Sequence, residues 1–140
     1  MITPKELIKK AYEVQGEMTL PNGLVSGMVG VALITKDGCI YTGINVEFYC
    51  SLGHCAECSA ISDMLKDRKT EIEMIAAVDC EKVLPPCGRC RELMMQVCKD
   101  GKNIKVILDD DGGYKLLGEL IPDYWNDEGM NDYLDKQTKI

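Results

Sequence analysis

Leu7, Ile8, Ala11, Tyr12, Val14 and Gln15 recur at helical intervals near the start of the chain, with Lys and Glu between them. Thr3-Pro4-Lys5-Glu6 precedes this stripe and reads as a capping box with proline at the first helical position; Gly16 marks the stop. The period then changes. Val29 to Thr35 is an apolar, β-branched run, Lys36-Asp37-Gly38 is a turn sequence, and Cys39 to Val46 returns, so a hairpin is expected. A loop from Glu47 to His54 leads into a helix running from Cys55 to Arg68, on which Glu57, Ala60, Ile61, Met64 and Leu65 form one stripe.

Ile72 to Cys80 reads as a buried strand. Pro85-Pro86 forbids a helix at that point and opens the next one, expected over Gly88 to Lys99. Ile104 to Leu108 is a further strand, and Asp109 to Gly113 turns it into Tyr114 to Leu117. The tail after Leu120 is acidic, with Tyr124-Trp125 near its start. Helix, hairpin, helix, strand, helix, strand, strand is the order of a three-layer α/β domain with a mixed sheet. One domain over residues 1–140 is expected, without repeats or linkers.

Composition narrows the class. Hydrophobic residues at 46% and charged residues at 28% are ordinary for a soluble globular protein. No apolar run is long enough to span a membrane, and the first residues lack the layout of a signal peptide, so a cytoplasmic protein without membrane partners is expected. A net charge of −7 without a dense Lys/Arg cluster argues against nucleic acid and leaves a small molecule as the expected partner. Eight cysteines without a secretion signal read as free thiols and metal ligands. Cys39, Cys50, Cys80 and Cys98 have no partner at ligand spacing and are expected to be buried small hydrophobes.

The chemistry concentrates in Cys55-Ala56-Glu57 and Pro86-Cys87-Gly88-Arg89-Cys90. Cys55, Cys87 and Cys90 can converge on one Zn²⁺ per chain, and three protein ligands leave a fourth position for water. Glu57, two residues after the first thiol, would stand beside that water as a proton carrier, and burial would raise its pKa toward a useful range. Both cysteine segments begin helices, whose N-termini favour thiolates. Three thiolates on Zn²⁺ carry one net negative charge, and Arg89 and Arg91, flanking Cys90, are the candidates to offset it. Other readings fit the same cysteines. Cys58 completes two Cys-x-x-Cys pairs, the pattern of a closed structural Cys₄ module, and Cys87-Gly88-Arg89-Cys90 alone has redox spacing. His54, the only histidine, reads as a loop residue beside the ligands.

Five motifs in order then carry a resemblance spanning Val29 to Pro122: Val29-Gly30-Val31-Ala32-Leu33, Gly43-Ile44-Asn45-Val46-Glu47, Cys55-Ala56-Glu57, Pro86-Cys87-Gly88-Arg89-Cys90-Arg91-Glu92 and Glu119-Leu120-Ile121-Pro122. The chain resembles the small, tetrameric cytidine deaminases and their blasticidin S deaminase relatives; Cys-Ala-Glu followed by Pro-Cys-x-x-Cys is an established signature of zinc nucleobase deaminases. The resemblance implies a five-stranded mixed sheet between helices, a homotetramer with sites near subunit interfaces, and hydrolytic removal of the pyrimidine 4-amino group in pyrimidine salvage. It implies zinc on Cys55, Cys87 and Cys90, proton transfer by Glu57, and a ribose 3′-hydroxyl held by Asn45 and Glu47. Departures are visible. Gly27 stands where those enzymes carry a base-stacking Phe, and Cys58 stands where they carry an Arg. Arg89 and the Tyr124-Trp125 pair match the blasticidin branch, in which tail aromatics close over the base, whereas that branch lacks the acid Glu47. A cytosine nucleoside is the expected substrate, with a blasticidin S-type modified nucleoside as the alternative.

Overall fold

The capping box forms as the sequence predicts: Glu6 donates its amide to Thr3 Oγ1 (3.2 Å) and its carboxylate accepts from Thr3 N (2.7 Å), starting α1 at Pro4–Val14. The structure is a computed structural model that describes residues 1–125 and 136–137; apart from those two positions, the tail beyond Trp125 lies outside the described residues. Leu7, Ile8 and Ala11 are buried on one face of α1. Each large aliphatic side chain so buried contributes on the order of 2 kcal/mol.

A short hairpin, β1 (Met18–Thr19) with β2 (Val25–Ser26), follows and leads into the central sheet. The sheet strands are β3 (Gly30–Thr35), β4 (Ile40–Ile44), β5 (Ile72–Val78), β6 (Val83–Leu84), β7 (Lys105–Ile107) and β8 (Tyr114–Leu116). The order is β4-β3-β5-β7-β8, with β6 paired to the end of β5. The expected five-stranded mixed path is therefore present, and the two-residue β6 is an addition to it. β5 and β7 run parallel and the other pairs antiparallel. The end of β3 at Thr35 and the starts of β5 at Ile72 and β8 at Tyr114 fall where predicted, and the other strand ends fall one or two residues inside the predicted spans: Cys39 and Val46, for instance, lie outside β4.

Period-two alternation divides two layers of packing. Ala32 and Ile34 of β3, with Met74, Ala76 and Val78 of β5, pack against α1. Val31, Leu33, Ile75 and Ala77 pack with α2 (Ala56–Lys66) and α3 (Gly88–Val97) on the opposite face. A register shift between Ile34 and Thr35 places Thr35 opposite Ile72 and skips Glu73, which lets Ile72 join the second layer. A 3₁₀ turn (Gly101–Asn103) and a short helix, α4 (Leu117–Leu120), complete the elements.

Two local features decide how α2 sits. Gly43 of β4 lies directly beneath its first turns: a Cβ there would come within 2.7 Å of the Ala56 carbonyl and the Ser59 side chain. The missing side chain lets the helix bearing Cys55 and Glu57 lie close on the sheet. At the other end the helix closes in a Schellman motif, with Arg68 N donating to Leu65 O (2.9 Å) and Lys69 N to Met64 O (3.3 Å). Arg68 occupies the left-handed position at φ +62, where glycine is usual. Arg68→Gly is expected to stabilise the protein by about 0.5–1 kcal/mol, since relief of the left-handed strain outweighs the added freedom of the unfolded chain. A thermal melt checks this, and a lowered midpoint would count against it.

Cys98 is buried as expected, but Cys50 and Cys80 are exposed and Cys39 is half-buried. Cys50 sits in a surface loop and Cys80 in the turn after β5, so neither can reach a core layer.

Candidate active site

Because β3 is antiparallel to both neighbours, its first residue lies beside the last residues of β4 and β5: Gly30 pairs with Ile44 and with Val78. The N-termini of α2 and α3 arrive at the same end of the sheet. The result is a cavity of about 460 Å³ walled by Val29, Asn45, Glu47 and Phe48 on one side and Leu84, Pro85, Cys87 and Arg89 on another, with Cys55, Glu57 and Ala77 also lining it.

Cys55 and Cys87 are the N-cap residues of α2 and α3, and Cys90 is in the first turn of α3. Their sulfurs all lie within 4.8 Å of one another, and Cys55 Sγ is 3.6 Å from Cys87 Sγ. Tetrahedral Zn–S bonds of about 2.3 Å would separate sulfurs by about 3.8 Å, so the three donors fit this ion in both chemistry and spacing. Burial pushes the Cys55 and Cys90 thiols up. Burial also opposes ionisation of Cys87, but hydrogen bonds from Cys90 and Cys55 outweigh it and bring this thiol down. Helix ends alone therefore do not make three thiolates; a divalent cation supplies the charge that would. Cys58 is not in the sulfur group, and neither is His54, whose Nδ1 lies 3.2 Å from Cys55 O and 3.5 Å from Ser59 Oγ.

Glu57 is 5% exposed, in the first turn of α2. Burial raises its pKa, against weaker opposing hydrogen bonds from its own amide and the Cys90 thiol. Its helical stripe is buried at Ala60, Ile61 and Met64 but ends there, since Leu65 is exposed. A carboxyl group in this setting is costly to ionise unless something uses it.

Asn45 is buried and engaged at both ends of its amide. Oδ1 accepts from Val29 N (2.9 Å) and Nδ2 donates to Glu47 Oε1 (3.3 Å), tying the start of β3 to the end of β4 while orienting Glu47. Glu47 N donates to Ser26 Oγ (2.9 Å), a contact that no sequence pattern predicts. Arg89 is exposed on the cavity wall. Arg91 is engaged elsewhere: Nε donates to Pro86 O (2.9 Å) and Nη1 to Leu120 O (3.1 Å), bracing the loop that carries Cys87. Tyr124 and Trp125 are not among the residues lining this cavity. Tyr124 packs against the larger core layer under the Lys102 ammonium (5.7 Å), and Trp125 N donates to Glu92 Oε1 (2.8 Å). Phe48, Leu84 and Pro85 line it without having been singled out by the sequence patterns.

Comparison with known proteins agrees with this geometry. Residues 1–105 match the family model described as the cytidine and deoxycytidylate deaminase zinc-binding region. The chain is 33% identical over 129 residues to a cytidine deaminase from Halalkalibacterium halodurans, covering 90% of this chain and 96% of that protein. A blasticidin-S deaminase from Bacillus cereus is 29% identical over 100 residues, covering 59% of this chain and 71% of that one. The crystal structure of a mutant cytidine deaminase from Mycobacterium tuberculosis superposes with a TM-score of 0.75 at 27% identity, covering 90% of this chain and all of that one. Zinc is the cofactor that the family model and the three-sulfur cluster together indicate. Matching three quarters of its length to that model, the chain belongs to the zinc-dependent cytidine and deoxycytidylate deaminase family.

Proposed function

We propose that the chain hydrolyses the 4-amino group of a cytosine nucleoside, converting cytidine or deoxycytidine to uridine or deoxyuridine and ammonia. The observation behind this reading is Glu57, a buried carboxyl group beside three converging thiols on the wall of an open cavity. In it, Cys55, Cys87 and Cys90 hold the metal, which when bound supplies a Lewis acid that brings deprotonation of water near neutral pH. Glu57 takes a proton from the attacking water and passes it to N3 of the ring as the C4–oxygen bond forms, then takes the second proton from the new C4 hydroxyl and delivers it to the departing amine as the C4–nitrogen bond breaks. Its raised proton affinity suits both halves of that transfer. Arg89 offsets the residual negative charge of the thiolates from the cavity wall. Glu47, oriented by Asn45, accepts a hydrogen bond from the ribose 3′-hydroxyl.

The same reading carries residues 1–140 as one domain, working in the cytoplasm in pyrimidine salvage as a homotetramer. Exposed Tyr49 and Leu52 beside the cavity offer apolar surface for subunit contacts. Tyr124 and Trp125 as aromatics closing over the base belong to the blasticidin S-type alternative.

The test is turnover of cytidine by zinc-loaded protein, followed in the ultraviolet, alongside blasticidin S and 3′-deoxycytidine. Glu47→Ala is expected to cost roughly 1.5–3 kcal/mol, or about one to two decades in kcat/KM on cytidine, because a charge-assisted hydrogen bond is lost. The same variant should lose little on 3′-deoxycytidine. Equal losses on both would leave Glu47 with no sugar contact, and turnover of blasticidin S alone would transfer the assignment to the alternative.

A further inference from the structure

Resting on the nucleoside reading, we infer that Phe48 is the aromatic face against which this enzyme holds the cytosine ring. Gly27 cannot supply one. Its φ of +84 and the Gly16 carbonyl pressed against the position of a Cβ leave no room for a side chain. Backbone hydrogen bonds lock it there, Gly27 N to Asn45 O (3.1 Å) and Gly16 N to Gly27 O (2.9 Å). Among the described residues Phe48 is the only carbocyclic aromatic ring lining the cavity, and it is the only phenylalanine in the sequence.

The loop that bears it is built to keep it in place. Val46 and His54 close the base of the loop through a pair of 2.9 Å backbone hydrogen bonds, and Glu47 N is held by Ser26 Oγ. Cys50 and Ser51 then adopt successive left-handed conformations, φ +60 and +56, which non-glycine residues rarely hold. Such strain concentrates at ligand sites, where it positions a neighbouring group. Phe48 is 44% exposed, so a large apolar ring lines the cavity without being covered by its own chain. A planar, electron-poor heterocycle is the occupant that fits between this ring and the thiol cluster, since every base presents a π-face to an aromatic side chain.

The experiment compares wild type with Phe48→Ala, Phe48→Leu and Phe48→Tyr, each loaded with zinc and checked for unchanged melting and assembly mass. Stacking acts on bound substrate and transition state alike, so KM should carry the effect and kcat stay within about three-fold. Phe48→Ala should raise KM for cytidine about 5- to 100-fold, Phe48→Leu most of that, and Phe48→Tyr less than about three-fold. Calorimetric titration of cytidine into Glu57→Gln and Glu57→Gln/Phe48→Ala proteins should reproduce the ratio as a change in Kd without turnover. Active wild type with KM and Kd unmoved by Phe48→Ala overturns this inference and leaves the nucleoside reading intact. Leucine performing as well as phenylalanine also overturns it, by making the site a plain apolar wall. So does a fall in assembly mass that accompanies the loss, which would assign the ring to a subunit contact. Wild type that neither binds nor deaminates cytidine removes the nucleoside reading, and this inference with it.

Discussion

Replacing Glu57 by glutamine should cut kcat on cytidine by at least about 10²–10⁴-fold while the protein keeps its zinc and its fold. Glutamine matches the carboxylate in volume and offers an oxygen of similar placement, but it can neither accept a proton from water nor return one to N3 or the leaving amine. Zinc content should persist because the sulfur cluster comprises Cys55, Cys87 and Cys90 without a carboxylate. Stability should hold or rise. Burial disfavours the ionised form of Glu57, as its raised pKa records, and a neutral amide escapes that cost. The measurements are kcat, zinc per chain by elemental analysis and the melting midpoint of the same preparation. Turnover within a few-fold of wild type would dismiss Glu57 as the proton carrier. Turnover lost together with zinc would reassign Glu57 to holding the metal site.

The parts of the fold legible in the sequence are those with a period or a cap. Thr3-Pro4-Lys5-Glu6 announces α1, and the runs around Val31 and Ile75 announce the two central strands. The metal cluster was legible for a different reason. Cys87 and Cys90 are three apart at a helix start, and three thiols with metal spacing have few structural uses. What could not be read depends on tertiary approach. β6 is two residues long, too short for a period, yet its Leu84 and the adjoining Pro85 form a wall of the cavity. Arg91 stands next to a ligand in sequence, but a helix turns successive side chains by a quarter turn or more, and its guanidinium meets the Pro86 and Leu120 carbonyls. Phe48 had one local signal, adjacency to Glu47, and only the course of the loop beyond it reveals that both line one space. The exposed Cys50 and Cys80 show the same limit: hydrophobic character says that a cysteine can be buried, not that a layer is within reach.

Cys55→Ala, Cys87→Ala and Cys90→Ala should each lose most of the bound zinc, whereas Cys58→Ala should retain about one zinc per chain, as an open three-thiolate site requires. Removing a ligand should lower zinc affinity by more than the roughly 10–100-fold typical of outer-shell partners. The four thiols share segments and residue type, so the contrast isolates geometry. Cys55 and Cys87 cap two different helices and meet at 3.6 Å, while Cys58, in the first turn of α2 as Cys90 is in that of α3, lies outside the sulfur group. Because the donors come from both α2 and α3, bound metal ties the two helices together at the end of the sheet where they converge. Its loss should therefore lower the melting midpoint as well as abolish turnover, and a chelator should lower wild type toward the ligand variants without changing Cys58→Ala relative to wild type. Cys90 is the most buried of the three, so its replacement also leaves a small cavity and should give the lowest midpoint. Zinc lost from Cys58→Ala as readily as from the others would mean a closed Cys₄ module. No position would then be left for water, and Glu57 would be a buried acid without a task.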